Sequence, residues 1–195
     1  VVGAGVAGLS VAYELSLRGA RVVVLDQGHI GRGQTQHTTA HLVTALDERY
    51  FEIERLHDAP TAALARQSHA AAIDRIESTV RSEGIRCAFE RLDGYLFTRE
   101  NARDPSILLA RELDAARRAG VEVHPRNTTP GLVPTLPCLH FPRQAQLQPL
   151  LYLDGLAHAI RMRGGRVHTG TGVAAIDAAP TPIVHTADNL RVAAG

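Results

Sequence analysis

The sequence predicts an α/β fold in which a Rossmann-like parallel-sheet domain is interrupted by an α+β domain with antiparallel strands. Three observations carry this expectation. The chain opens on a G-x-G-x-x-G turn, Gly3-Ala4-Gly5-Val6-Ala7-Gly8, set between apolar Val1-Val2 and a helical run. A second apolar strand pattern at residues 21–26 then closes a βαβ unit on the carboxylate of Asp26. Helices and short strands take over after that unit, and a helix followed by strands returns from residue 149.

Each glycine of the turn has a separate task. Gly3 makes the tight strand-to-helix turn, Gly5 lets backbone N–H groups approach a diphosphate, and Gly8 lets the helix pack against the sheet. The anion then meets the positive end of the helix dipole at Val6 and Ala7. The helix is expected from Val6 to Arg18, with Val6, Leu9, Tyr13 and Leu17 on one face and Gly19 at the C′ position. Asp26 lies 18 residues beyond Gly8, near the offset of roughly 20 at which an acid takes a ribose hydroxyl. Its charge also opposes a 2′-phosphate, which disfavours NADP. A glycine-rich turn with a surface aspartate and no ligand is the plain alternative.

Residues 28–41 read as a long polar loop, with Gly28, Gly31 and Gly33 and with Thr35, Thr38 and Thr39. Such a loop supplies exposed N–H groups and hydroxyls to an extended ligand, or else serves as a solvated connector. Residues 40–56 are expected to be partly helical, and Asp58-Ala59-Pro60-Thr61 caps a second helix that runs to Glu83. On it Ala72, Ile76 and Val80 stack with Ile73 beside them. Ala88–Leu92 and Tyr95–Thr98 are expected as two strands of a hairpin turning at Asp93-Gly94. A helix over Pro105–Ala119, a short strand at Val121–His124 and a loop over Pro125–Pro137 follow. Leu139–Phe141 suggests a strand, and Arg143–Gln148 alternates so that Arg143, Gln144 and Gln146 offer a polar face, lining a pocket or a strand edge. Pro149 opens a helix through Met162, and Arg166–Thr169 and Gly172–Ile176 are expected to rejoin the sheet, with further strands at Ile183–Thr186 and Leu190–Ala194. The domain boundaries expected from this order are 1–46, 47–148 and 149–195.

Composition removes several classes of function. The 21 basic residues are all arginine against 20 acids, so no lysine is present for a Schiff base, and no basic stripe invites nucleic acid. Cys87 and Cys138 stand alone, without zinc or cluster spacing, so no metal site is expected and they read as reduced thiols of a cytoplasmic protein. No apolar run approaches the roughly 18 residues of a membrane span. The chain starts without Met only two residues before its turn and stops on a strand-like run. A fragment truncated at both ends is therefore expected.

With these residues in view, the chain resembles FAD-dependent oxidoreductases of the D-amino acid oxidase and glycine oxidase type. The resemblance rests on the opening turn through Ser10, on Val24-Leu25-Asp26, on Gly33-Gln34-Thr35 through His41, and on Tyr152-Leu153 through Gly165. Thr38–Leu42, Leu46–Tyr50, Asp93–Phe97 and Phe141–Gln146 further resemble a bacterial branch whose members often carry a C-terminal Rieske domain. No such domain is present in this sequence.

The resemblance implies a Rossmann-like FAD-binding domain interrupted by an α+β substrate domain with antiparallel strands. It implies that Gly3, Gly5, Val6, Ala7 and Gly8 meet the FAD diphosphate, and that Asp26 and Gln27 sit at the adenosine ribose. Gly33, Gln34, Thr35, Thr38, Thr39, Ala40 and His41 match the loop that passes toward the flavin, and Val173 matches a strand position that meets the adenine. The implied activity is oxidation of a C–N bond in an amine or amino acid by hydride transfer to flavin N5, the electrons passing to oxygen or to an iron–sulfur partner. His41 is the single weak catalytic candidate, as a base or as a partner of a flavin anion; packing against the loop explains it equally. Two other readings stay open: an NAD-dependent dehydrogenase, and a non-catalytic dinucleotide-binding scaffold.

Overall fold

The computed structural model describes residues 1–98, 104–131, 135–178 and 181–193. In chain order the elements are α1 (Val6–Leu17), β1 (Val23–Leu25), a short 3-10 helix (Gln34–His37), β2 (His41–Leu42), α2 (Tyr50–Leu56), α3 (Ala59–Glu83), β3 (Glu90–Phe97), α4 (Pro105–Arg118), β4 (His124–Arg126), β5 (Cys138–Gln146), α5 (Pro149–Met162), β6 (Arg166–His168), β7 (Val173–Asp177), β8 (Ile183–Thr186) and β9 (Arg191–Ala193). They fall into two compact units. The first gathers Val1–Ala40, Val80–Cys87 and Gln148–Gly195, and the second gathers His41–Thr79 and Ala88–Leu147. No helix among the described residues is long and apolar enough to cross a membrane.

In the first unit β1 runs parallel to β6, with Val24 opposite Val167, and Val2 bridges Leu25 on the other edge of β1. Helix α1 packs against α5. The buried face of α1 is Leu9, Ala12, Tyr13 and Ser16, whereas Val6 and Leu17 are exposed. The expected stripe is corrected because α1 is apolar nearly all round, so spacing alone cannot select the buried side. Helix α5 has the expected limits: Pro149 opens it, the Gln148 side chain accepts from the Leu151 N–H at 2.8 Å, and Gly164 closes it at φ +82°.

The Val80–Cys87 segment belongs to this unit through close packing and charge. A Cβ on Gly155 of α5 would lie 2.5 Å from Ile85 Cγ2, so this glycine permits the approach. Glu83 accepts from the Tyr13 hydroxyl at 2.6 Å and from Arg163 Nη2 at 2.6 Å. Burial pushes its carboxyl pKa up, but the hydrogen bonds from Tyr13 and Arg163 outweigh this and hold it below the ordinary value. Strands β7, β8 and β9 form a separate antiparallel sheet. Residues 172–176 therefore do not rejoin the parallel sheet; β6 alone does. The last residue of the strand expected over Leu190–Ala194 lies outside the described residues.

In the second unit β5 is central, flanked by β3 on one side and by β2 and β4 on the other, all antiparallel. Leu139 and Phe141 of β5 join Tyr50, Ala115, Ala116 and Val123 in the core. Strand β3 is continuous through Asp93-Gly94, with a register shift between Leu92 and Gly94. The expected hairpin is corrected, because both halves of β3 pair with β5: Asp93 alone faces Pro142 and Arg143, so the register shift is a bulge in β5 and no turn forms at Asp93-Gly94. A Cβ on Gly94 would lie 2.9 Å from Gln144 Cγ, which explains the glycine. The expected strands at 139–141 and 143–148 merge into β5, and the expected Val121–His124 strand is shifted to His124–Arg126, where it pairs with Cys138–His140. Part of the loop expected over Pro125–Pro137, residues 132–134, lies outside the described residues. On α3 the buried residues are Ala62, Ile73 and Thr79, and Ala72 is exposed. The Asp58 cap is made, its carboxylate accepting from the Thr61 N–H at 2.7 Å.

Glu112 of α4 is 2% exposed. Its Oε2 accepts from the Phe51 N–H at 3.4 Å at the start of α2, and its Oε1 has no partner among the described residues. Burial raises its carboxyl pKa above the ordinary 4.5, against the lowering effect of the Tyr50 and Phe51 N–H groups and of Arg49. The folded state thus holds this proton more tightly than the unfolded chain does. Its contribution to stability is complete below pH 4.5 and is lost as pH rises through the raised folded value, by about 1.4 kcal/mol per unit of elevation. Relative to Glu112→Gln, the wild type is expected to lose stability steadily from the acid side to neutral pH. Urea unfolding of both proteins between about pH 4 and 8 checks this, and a pH-independent difference refutes it.

Candidate cofactor site

The opening turn forms the centre of a backbone cradle in the first unit. Gly3, at φ +99°, donates its N–H to Leu25 O at 2.8 Å, which ties the turn to the end of β1. Gly8 lies under the turn, and a Cβ there would sit 2.0 Å from Gly3 O. Only a glycine lets α1 leave the turn at this angle. Gly5 is the N-cap residue, extended at φ −81° and ψ −175°, with no side chain to cap the helix and no acidic residue in the first turn. The N–H groups of the first turn of α1 thus lack an anion of the protein's own.

Asp26 is held beneath this turn by two backbone donors. Its Oδ2 accepts from the Ala4 N–H at 2.6 Å and its Oδ1 from the Gly28 N–H at 2.7 Å. The connection between β6 and β7 runs beside it, Thr171 N–H donating to Asp26 O at 2.8 Å and Gly170 N–H to Gly28 O at 3.3 Å. This brings half-buried Val173, at the start of β7, into the same region of the chain as exposed Gln27. A Cβ added at Gly172, next to Val173, would lie 3.7 Å from Gln27 Cβ.

The loop after β1 folds back on the cradle. Gly31 donates to Ala4 O at 3.0 Å, and the Thr35 hydroxyl accepts from the Val6 N–H at 3.2 Å. Gly33 precedes the short 3-10 helix that begins with Gln34. The Ala40 N–H donates to Thr38 Oγ1 at 3.3 Å, and Ala40 has φ +68°. Thr38 and Thr39 are exposed. Gly28 and Gly31 were not singled out individually by sequence, yet Gly28 anchors Asp26 and a Cβ on Gly31 would meet Leu150 Cδ2 at 2.6 Å. Their signal was present in the loop's glycine content, without the contacts that rank them.

His41 belongs to the second unit, exposed at the start of β2 and opposite Gln146. Gln144, expected on a polar face, is 3% exposed. Its carbonyl oxygen accepts from the Thr44 N–H at 2.6 Å, and its amide donates to Thr44 Oγ1 at 3.1 Å and to Pro142 O at 2.9 Å. The Tyr50 hydroxyl donates to Thr44 O at 2.5 Å. Nothing in the sequence signals this pairing, because Thr44 and Gln144 are 100 residues apart. Gln144 is thus a buried hydrogen-bonding group, and the alternation that suggested a pocket face is interrupted by Arg143 at φ +58°.

These features define a dinucleotide-binding α/β protein: a parallel strand pair, a glycine turn, a helix with glycine at its N-cap and an acid held beneath the turn. Comparison with known proteins narrows the class. The profile of the FAD dependent oxidoreductase (DAO) family matches residues 1–195, and the chain belongs to that family. A Bacillus subtilis (strain 168) protein, YhfW, provisionally named a Rieske 2Fe-2S iron-sulfur protein, is 33% identical over 172 residues, which cover 88% of this chain and 33% of YhfW. Glycine oxidase from Geobacillus kaustophilus has the same fold, with a TM-score of 0.80 at 21% identity over 99% of this chain and 52% of that one. L-proline dehydrogenase from P. horikoshii matches with a TM-score of 0.73 at 16% identity over 99% of this chain and 49% of that one. The chain spans about half the length of these solved structures and a third of YhfW. The architecture is a Rossmann-like FAD-binding domain with an inserted α+β antiparallel substrate domain.

Proposed function

We propose that this chain carries the cofactor-binding part of an FAD-dependent oxidoreductase acting on the C–N bond of an amine or amino acid. The single observation that carries the proposal is the cradle: a family member in which the first turn of α1 has glycine at its N-cap and no carboxylate, while Asp26 is locked beneath it. The residues fit the cofactor. A glycine stands wherever a side chain would fill the cradle, and the first turn of α1 carries no carboxylate to repel a diphosphate. In this reading Gly3, Gly5, Val6, Ala7 and Gly8 form the diphosphate cradle: Gly3, its N–H tied to Leu25 O, shapes the turn, Val6 is held by Thr35, and the N–H groups of Gly5, Ala7 and Gly8 meet the anion. Each Asp26 oxygen uses one lone pair on the protein and keeps another for a ribose hydroxyl, with Gln27 beside it. Thr35 stabilises the cradle, Gly33, Gln34, Thr38, Thr39 and Ala40 carry the loop along the cofactor, and Val173 flanks the adenine.

When bound, FAD would supply the redox chemistry, the acceptance of a hydride equivalent in oxidation of a C–N bond. The chain's residues bind and orient the cofactor for that task. The names of the similar structures, a glycine oxidase and an L-proline dehydrogenase, favour an amino-acid substrate. The finer reading places the enzyme in the branch linked to a Rieske centre, with that centre as electron acceptor, and it is supported by the name of YhfW. Among the described residues no group of three or more His, Cys, Asp or Glu is placed to hold a metal ion.

The full chain reconstituted with FAD is expected to show flavin absorbance and to bleach anaerobically with an amino acid such as glycine or L-proline. A protein that stays colourless, or that binds NAD and not FAD, overturns the reading. A protein that holds FAD yet responds to no amine, amino acid or artificial acceptor favours the scaffold.

A further inference from the structure

Three residues in positive-φ backbone bracket one short segment of the second unit and its supports. Arg49, at φ +61°, immediately precedes Tyr50, Arg143, at φ +58°, immediately precedes Gln144, and Ala40, at φ +68°, immediately precedes β2. None is glycine, Asn or Asp, so each conformation is unfavourable for its side chain. Strained backbone persists only where its surroundings enforce it, and it gathers where geometry matters to function. Two of the three, Arg49 and Arg143, immediately precede the residues whose hydrogen bonds close on Thr44.

Thr44 offers three polar groups, and Gln144 and Tyr50 take all of them. Gln144 accepts from its N–H and donates to its hydroxyl oxygen, while the Tyr50 hydroxyl donates to its carbonyl. All three residues are buried, at 9%, 3% and 0% exposure for Thr44, Gln144 and Tyr50. The fold makes room for this arrangement through Gly94, whose missing Cβ leaves space for Gln144 Cγ, and through Glu112, which caps α2 at Phe51. A mere core filler at position 144 needs neither an amide nor the bulge at Pro142-Arg143 that immediately precedes it. Two strands, a helix start and a loop are thus committed to fixing one threonine.

We propose that Gln144 and Tyr50 are positioning residues: by holding Thr44 they set the path of residues 41–49, the segment that leaves the flavin-binding loop in the chain, and with it the orientation of His41. The inference rests on the FAD reading for its functional meaning, and on the hydrogen bonds alone for its structural content. Neither residue touches the reacting atoms in this role. Their effect passes along the backbone from Thr44 to His41.

The test uses the full chain with Tyr50→Phe, which removes one donor and keeps the ring, and Gln144→Leu as the stronger lesion. Amide hydrogen exchange is read first, without added cofactor. Exchange in the 41–49 segment is expected to speed up at least about tenfold in Tyr50→Phe while α5 and β1 keep their rates. Unchanged exchange in 41–49, or an equal rise everywhere, overturns the proposal whatever the protein binds. In FAD-loaded protein the visible circular dichroism of the flavin is expected to change while FAD affinity stays within about threefold, because the diphosphate cradle is untouched. A lowered Tm with an unaltered flavin spectrum marks a purely structural role and refutes the inference. If wild type holds no flavin, the FAD reading fails separately and the exchange result still decides whether the segment is held.

Discussion

Gly8→Ala is expected to leave the protein unable to hold FAD and markedly less stable, whereas Gly5→Ala is expected to lose the cofactor and keep its fold. The two glycines look alike in the motif but meet different neighbours. A Cβ on Gly8 lies 2.0 Å from Gly3 O and 2.9 Å from Gly3 C, both backbone atoms that no rotamer change can move. Relief requires α1 to separate from the turn, and a cost of about 3 kcal/mol or more follows from overpacking of this kind. A Cβ on Gly5 lies 3.4 Å from Thr35 Oγ1, an ordinary contact, and the extended backbone of Gly5 accepts alanine without strain. If the diphosphate lies on this turn as proposed, that methyl group would crowd its approach to the N–H groups of α1. Loss of one or two charge-assisted hydrogen bonds lowers affinity by about 100-fold, the equivalent of about 2.8 kcal/mol. Thermal unfolding without cofactor and FAD titration separate the cases. Equal Tm values for Gly8→Ala and wild type contradict the packing argument, and unchanged FAD affinity in Gly5→Ala contradicts the diphosphate assignment.

The same contrast shows what was legible in the sequence. Glycine spacing, apolar runs and capping residues are local properties, so the βαβ unit, the limits of α5 and the positive-φ glycines that end the helices were all readable from neighbours in the chain. The identity of the buried face on α1 was not, because alanine, valine and leucine lie all round that helix and only its packing partner selects a side. Asp93-Gly94 misled for a related reason: the dipeptide permits a turn but also fits inside a continuous strand, and β5, some 50 residues later, makes the choice, its own bulge at Pro142-Arg143 taking up the register shift. The candidate site divides along the same line. Gly3, Gly5, Gly8 and Asp26 lie in one continuous stretch and announced themselves, while Thr44, Tyr50 and Gln144 come together only through the fold of the second unit. The inclusion of Val80–Cys87 in the first unit had no compositional mark either, since it depends on Glu83 meeting Tyr13 and Arg163 and on Gly155 admitting Ile85.

Asp26→Asn, although isosteric, is expected to weaken both the fold and the cofactor site, because the aspartate does two jobs that an amide cannot share. Its two oxygens accept from different backbone donors, Ala4 in the glycine turn and Gly28 in the following loop. Asparagine has one acceptor oxygen, so in either amide orientation its NH2 group points at an N–H and leaves that donor unpaired. Losing a charge-assisted bond in this way costs about 1.5–3 kcal/mol, which for a chain of this size lowers Tm by roughly 5 °C even without cofactor. The turn and the loop are then less firmly joined, and the carboxylate proposed to receive the ribose hydroxyl is gone, so FAD affinity is expected to fall by a further factor of about 100. Asp26→Ala removes the mispaired amide but also both acceptors, and is expected to be at least as damaging. A cofactor-free Tm within about 1 °C of wild type in both variants means that the carboxylate does not hold the cradle together. A lowered Tm with unaltered FAD affinity means that it holds the cradle but takes no ribose hydroxyl. A fall in FAD affinity larger than the loss of cradle stability accounts for is the result expected when one carboxylate both builds the site and serves it, because the backbone donors that fix Asp26 leave one lone pair on each oxygen for the ligand.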